Sequence, residues 1–465
     1  MFFELEPSEH TALVAQNGEE WTYARLAGEV SRLSSVLPPR SLGFILCQNA
    51  PGCVAGYLGF LNARCVPLLL NREIDRALLA RLTAVYEPEF LYVPQDLCGE
   101  FPGCEPRGDF AGFSLLARPV KTRAELADDL ALLLTTSGST GSPKLVRQTY
   151  RNIESNAEAI REYLELTRDE RAVTTLPMNY TYGLSIVNSH LLAGAAVLLT
   201  DFAMTNRAFW EFMKAQRATS FGGVPFTYEM LKRLRFFRMD LPDLRYMTQA
   251  GGRLSPELHR EYAEWRAERG KKFIVMYGQT EATARMSYLP WERSQEKIGS
   301  IGIAIPGGRL ALRGDDGREI TVPGVAGELI YEGPNVTPGY AERREDLVKG
   351  DERGGVLATG DMAERDADGF YFITGRRSRF LKVFGNRVNL DETELLLKKN
   401  FPGVELAAAG ADDDLKVYIT DEGRTDEIRQ WVSGTMHLSE KGVHVYFIPE
   451  IPKNDAGKIQ YRELD

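Results

Sequence analysis

The 465-residue chain has little of what several protein classes require. Cysteine is scarce: Cys47, Cys53, Cys65, Cys98 and Cys104 are all there is, and all fall in the first quarter. An odd number, with no Cys-x-x-Cys and no Cys/His ligand spacing, excludes a disulfide framework and a zinc site. Reduced thiols in a cytoplasmic protein are the expectation. Basic charge is not in excess either. Fifty-six Lys and Arg face 65 Asp and Glu, for a net charge of −9 and a pI near 5.4. That balance argues against a nucleic-acid or anionic-membrane surface and leaves room only for a local basic pocket. Long apolar runs are missing as well. The longest, near "LLAGAAVLL" (191–199), is about half of the roughly 20 residues a spanning helix needs, so no membrane span is expected. The start, "MFFELEPSEH", carries acidic residues where a secretory signal needs basic ones.

What the chain does have is alternation. "SLGFILCQ", "EFLYVPQ", "AVLLTD", "ATSFGGVP", "LRYMTQAGG" and "KKFIVMYGQT" read as buried strands that end in polar or glycine-rich residues. "PELHREYAEWRAERG" between them has helical periodicity and a glycine stop. This predicts an α/β protein with parallel-rich sheets, whose functional loops collect at the carboxyl ends of strands. From about residue 295 the texture changes to short strands separated by Gly-Asp, Asp-Asp-Gly and Pro-Gly turns, which predicts a β-rich subdomain over about 295–376. A small α+β domain, 377–465, follows a charged hinge-like stretch and begins with the helix "DETELLLKKNF". The expected layout is therefore a large domain over 1–376 and a small one over 377–465 after it.

Four loops carry candidate chemistry. In "LLLTTSGSTGSPKLV" (132–146) an apolar strand breaks into hydroxyls and glycines ending at Lys144. Such a composition alone is that of a linker, but strand, glycine-rich loop and helix in succession would also cradle phosphate oxygens. The P-loop spacing is not met. "MYGQTEATAR" (276–285) follows a strand; Thr280 could donate to a phosphate and Glu281 could ligate Mg²⁺, or the segment could simply cap a helix. Asp361, after a Thr-Gly turn, could accept from both hydroxyls of a ribose or be an ordinary turn residue. "IPKNDAGKIQ" (451–460) presents Lys458 beside a glycine, where a lysine is normally a solvated charge.

Taken together and in this order, the Thr/Ser/Gly loop, Tyr-Gly-Gln-Thr-Glu, Thr-Gly-Asp, Gly-Arg and Pro-Lys-x-x-x-Gly-Lys resemble the adenylate-forming superfamily of acyl- and aryl-CoA synthetases, peptide-synthetase adenylation domains and luciferases. "WTYARLA" (21–27), "LGFLNARCVPLLL" (58–70) and "GELIYEGPNVTPGY" (327–340) extend the likeness over nearly the whole chain. The resemblance implies an enzyme that joins a carboxylic acid to ATP as an acyl-adenylate, releases pyrophosphate, and passes the acyl group to a thiol. That thiol is CoA or, alternatively, the phosphopantetheine of an acyl- or peptidyl-carrier protein. A non-catalytic nucleotide-binding scaffold is the remaining alternative.

By the same resemblance Thr135, Thr136, Ser137, Gly138, Ser139, Thr140, Gly141 and Lys144 would hold the β- and γ-phosphates of ATP. Thr280 would touch the α-phosphate and Glu281 would ligate Mg²⁺. Gly251 and Gly252 would pack along adenine, with Tyr277 near the ring, and Asp361 and Arg376 would bind the ribose. Lys458 would bridge the carboxylate and the α-phosphate. Ser378 stands at the family's hinge position, where Asp or Lys is usual, and Gly385 would line the pantetheine tunnel. Tyr180 replaces a frequent histidine, and Leu390 a common proline. With Tyr182, Phe226, Ala250 and Met276, Tyr180 would wall or gate the acyl pocket. "PMNYTYGLSIVNSHLL" offers no carboxylate to pair with an ammonium, which favours a plain carboxylic acid over an amino acid.

Overall fold

The computed structural model describes residues 4–135, 144–384, 386–436, 438–453 and 459–464. Thr136 to Gly141, Gly385 and Lys458, all candidate site residues, lie outside the described residues. The chain divides into two compact units, Met1–Arg309 with Tyr331–Leu357, and Leu310–Ile330 with Ala358–Asp465.

The first unit is built on two large sheets. One has nine strands, and its centre is parallel: Lys272–Tyr277, Tyr246–Gln249, Ser220–Gly223, Arg171–Val173, Ala196–Leu198 and Thr11–Val14 lie side by side. The other has eight strands, with Leu130–Thr135, Val66–Asn71, Leu42–Cys47 and Phe90–Pro94 parallel at its centre. All six positions of Leu42–Cys47 are buried. A strand covered on both faces reads as an unbroken apolar run rather than an alternating one, which is why these strands were visible in the sequence. The helix Pro51–Asn62 is apolar nearly all round and starts on a proline at its first turn. Glycine lets it approach the sheet: a Cβ on Gly56 would fall 2.2 Å from the Tyr92 ring.

One local expectation is corrected. The Thr/Ser/Gly loop does not run into a helix. It is followed by the strand Leu145–Thr149, antiparallel to Leu130–Thr135, and only then by the helix Tyr150–Tyr163. All five residues of that strand are buried. Thr149 ends it and at once caps the helix, in a reciprocal pair with Asn152, so no turn residue marks the change.

A four-stranded sheet, in the order Arg309–Arg313, Gly327–Glu332, Val356–Arg365, Tyr371–Arg376, supplies the β-rich texture expected from residue 295 onward. In the second unit the hairpin Phe380–Val383/Asn386–Asn389 precedes the helix Leu390–Asn400. A three-stranded sheet of Leu406–Ala411, Asp414–Ile419 and Val443–Phe447 packs with that helix and Thr425–Thr435 around a core that includes Leu397, Val417, Ile428 and Val432. All five cysteines are free thiols. No helix among the described residues is long and apolar enough to cross a membrane.

Candidate active site

In the first unit the fold gathers three groups far apart in sequence. Lys144 immediately precedes the strand Leu145–Thr149, whose other neighbour is the short strand Gly339–Ala341, with Val146 opposite Tyr340. The Lys144 ammonium lies 3.8 Å from the centre of the Tyr340 ring and 3.8 Å from Glu342. On its polar side Tyr340 donates its hydroxyl to Oε1 of Glu281 at 2.8 Å. Lys144 and Glu281, named separately from the sequence, are thus both held by one residue that sequence reasoning did not single out. Arg353 adds a second cation, 4.7 Å from the same ring, and donates to the Glu281 carbonyl at 3.3 Å. Burial, and then the Glu281 charge, raise the Tyr340 hydroxyl to about 12, so it stays a donor at neutral pH.

Glu281 and Thr280 lie in a tightly folded segment after the strand Lys272–Tyr277. Gly278 has no room for a side chain, since a Cβ there would sit 1.6 Å from the Ala284 carbonyl oxygen. Thr283 and Ala284 take the left-handed region, with φ of 56° and 99°. A β-branched residue held there is strained, and surrounding bonds must hold it. Thr283 donates to the Asn335 carbonyl at 2.8 Å, and Thr337 donates from backbone and side chain to the Glu281 carbonyl. Among the described residues no three His, Cys, Asp or Glu side chains cluster as a metal cage. A lone hard carboxylate such as Glu281 suits Mg²⁺, which binds through one or two carboxylates together with phosphates and water.

The acyl-pocket candidates are brought together in part. Tyr182, Ala250 and Met276 are buried in one apolar cluster, and half-buried Tyr180 packs against it. Phe226 lies outside that cluster, in the first turn of the helix Pro225–Arg233, and is exposed. Gly251, with φ of 84°, sits where a Cβ would come within 2.6 Å of the Tyr180 hydroxyl. The Gly252 carbonyl accepts from Gln249 at 2.9 Å. Tyr277 is half-buried and accepts from Gln279 at 3.2 Å. Thr135, half-buried, closes the strand Leu130–Thr135.

In the second unit Asp361 and Arg376 face each other across an antiparallel pair, with Nε 3.2 Å from Oδ1. Asp361 is buried and Arg376 exposed. A bulge just after Asp361, between Met362 and Ala363, breaks the ladder there. Ser378 lies in the short turn Arg377–Arg379. Its neighbour Arg379 pairs with Asp391 and Glu394 and lies 3.7 Å from the centre of the Tyr461 ring. Tyr461 in turn donates to Glu394 at 3.1 Å. Burial raises the Glu394 carboxyl, and the Arg379 charge opposes that rise. The segment containing Lys458 is closed at its base by a bridge between Lys453 and Ile459 and by Gln460 donating to the Pro452 carbonyl. The hinge-position turn and the base of the lysine segment therefore share one ionic cluster. Nothing in the motif spacing signalled it, because Arg379, Glu394 and Tyr461 meet only in the fold.

In the first unit, a parallel-rich α/β fold that sets a cation and a hard carboxylate on one tyrosine has the chemistry to hold a phosphate and its metal. The AMP-binding enzyme family matches over residues 4–341, and the chain belongs to that family. The indoleacetate–CoA ligase of Aromatoleum aromaticum is 27% identical over 94% of this chain and 91% of its own length. The oxalate–CoA ligase of Arabidopsis thaliana is 31% identical over 72% of this chain and 67% of its own. Among solved structures, the o-succinylbenzoate CoA synthetase of Bacillus subtilis with its acyl-adenylate aligns at a TM-score of 0.78 and 22% identity, over 98% of this chain and 95% of that one. The same synthetase has been solved with ATP and a magnesium ion. This chain is an AMP-forming acid–thiol ligase. It activates a small-molecule carboxylic acid with ATP, releasing pyrophosphate, and transfers the acyl group to CoA.

Proposed function

We propose that the ligase works through the residues assembled above, acting in two half-reactions. In the first, Lys144 and the 135–141 loop hold the β- and γ-phosphates, Thr280 contacts the α-phosphate, and Glu281 holds Mg²⁺. When bound, the metal neutralises phosphate charge; the chain's own part is to fix Glu281 through Tyr340 so that the carboxylate faces the phosphates in one geometry. Asp361 and Arg376 take the ribose hydroxyls, and Gly251, Gly252 and Tyr277 the adenine. Lys458 places a positive charge between the acid carboxylate and the α-phosphate, which lowers the repulsion of two anions that must meet. Tyr180, Tyr182, Ala250 and Met276 wall the acyl pocket, with Phe226 near its mouth.

In the second half-reaction a domain formed by residues 377–465 turns about Ser378, withdraws Lys458 and brings Gly385 to the pantetheine path, where a side chain would obstruct the thiol. The ligand is a plain carboxylic acid rather than an amino acid. CoA is the acceptor, and a carrier-protein pantetheine is the second reading. The five free thiols suit a cytoplasmic enzyme.

The observation that carries this reading is the joint hold of Tyr340 on Lys144 and Glu281. ATP–pyrophosphate exchange across fatty, aryl, hydroxy and amino acids tests it, followed by CoA and carrier proteins side by side. Exchange supported by no acid, or by amino acids alone, would overturn it.

A further inference from the structure

Arg285 ends the same segment that carries Thr280 and Glu281, and its side chain is only 2% exposed. Its recorded partners are all neutral. Nε donates to Ser185 Oγ at 3.1 Å, and Nη1 donates to the Tyr163 hydroxyl at 2.8 Å and approaches Met276 Sδ at 3.3 Å. The guanidinium lies 5.2 Å from the centre of the Tyr182 ring. Among the described residues Arg285 forms no ion pair, and Nη2 makes no hydrogen bond. Of the three other buried arginines, Arg147 pairs with Glu352 and Arg379 with Glu394, whereas Arg266 forms no ion pair among the described residues.

A guanidinium withdrawn from water without an anion is costly, and proteins rarely leave one so. Cation–π contact with one tyrosine compensates only a small part. The position explains what the missing anion is. Tyr182 and Met276, which Arg285 touches, belong to the cluster assigned above to the acyl group, with Tyr180 and Ala250. The charge therefore stands in the wall of the acyl pocket, where the neutral hydroxyls of Ser185 and Tyr163 fix the plane of the fork.

We infer that the substrate is a dicarboxylic acid, one carboxylate reacting with ATP while the second pairs with the buried Arg285 guanidinium beside Tyr182 and Met276. This rests on the acyl-pocket assignment above. Binding of the second carboxylate completes the buried charge pair, so it supplies discrimination: an acid without that group leaves Arg285 unpaired, and an uncharged isostere fills the pocket at a penalty.

The test is ATP–pyrophosphate exchange with the full-length enzyme on matched pairs, linear α,ω-dicarboxylates against monocarboxylates of equal length, and carboxy-substituted aryl acids against the unsubstituted ones. The dicarboxylate of the best pair should exceed its partner in kcat/KM by roughly 100-fold, since the unpaired buried charge is the larger penalty. Arg285→Met should erase that ratio, chiefly through a higher KM for the dicarboxylate. Arg285→Lys should restore part of it, which a merely structural arginine would not produce. The wild-type ratio stands alone should either variant fail to fold. Preference of the wild type for monocarboxylates overturns the inference while leaving the ligase reading intact. An unchanged ratio in a folded Arg285→Met enzyme does the same. Exchange with no acid of any kind would instead strike the ligase reading itself.

Discussion

Replacing Tyr340 by Phe removes one atom and separates two roles. The ring stays to face the Lys144 ammonium, while the 2.8 Å hydrogen bond to Glu281 is lost. A hydrogen bond to a charged acceptor contributes about 1.5–3 kcal/mol, and the half-buried setting of Tyr340 argues for the lower end. About 1.4 kcal/mol is tenfold in an equilibrium constant. The Mg²⁺ concentration that half-saturates pyrophosphate exchange should therefore rise about tenfold, within the range seen when a residue behind a metal ligand is changed. At saturating Mg²⁺ most of the rate should return. Tyr340→Leu, which also removes the ring under Lys144, should in addition raise the KM for ATP. The phenol's pH behaviour provides a second check. Its folded pKa, about 12, lies above the ordinary value of 10, so its contribution is fully present below pH 10 and is lost only as pH rises through 12. The difference between wild type and Tyr340→Phe should accordingly be flat from pH 7 to 10. A Tyr340→Phe enzyme with unaltered Mg²⁺ dependence would refute the claim that Tyr340 positions Glu281.

Lys458→Ala should abolish adenylation but spare thioester formation from a supplied acyl-adenylate; equal loss in both half-reactions would remove Lys458 from its assigned role. Glu394→Gln leaves the buried Arg379 short of a charge partner and should lower unfolding stability by about 3 kcal/mol, read by chemical denaturation. If the cluster also aligns the lysine segment, adenylation should fall more than thioester formation, and a pure stability effect would leave their ratio unmoved. Burial holds His190 and His259 neutral with pKa values pushed down to about 4. Because the unfolded chain takes up these protons near pH 6.5, stability should be full above that value and fall between pH 6.5 and 4, by up to about 3 kcal/mol per histidine. His190→Gln should flatten that part of a melting-temperature profile, and an unchanged slope would assign the acid sensitivity elsewhere.

The parallel strands were legible because burial on both faces writes itself as a continuous apolar run ending in glycine or a polar residue. The sheet ends where Glu281, Gly251 and Lys144 lie were legible for the same reason. Leu145–Thr149 was not, because "LVRQT" passes into its helix without a break and Thr149 serves both elements. Tyr340 was hidden differently. Its part depends on the pairing of Gly339–Ala341 with Leu145–Thr149, a long-range register that no local pattern encodes. Arg285 sat within a quoted motif, yet a charged letter in sequence looks solvated until its burial is known.

The correction at Leu145–Thr149 has a chemical consequence. A phosphate loop that opens a helix draws on the backbone amides and the positive end of the helix dipole. Here the loop joins two antiparallel strands, and the net dipole of such a pair is small. Without a helix dipole behind the loop, side-chain charge carries more of the weight, and a flexible lysine loses entropy when it is fixed on an anion. Lys144 is held in advance, over the Tyr340 ring and near Glu342. The same ring carries the hydroxyl that orients Glu281. One tyrosine thus couples the lysine proposed for the phosphates to the carboxylate proposed for their metal, so loss of the whole ring should raise the KM for ATP and the Mg²⁺ requirement together.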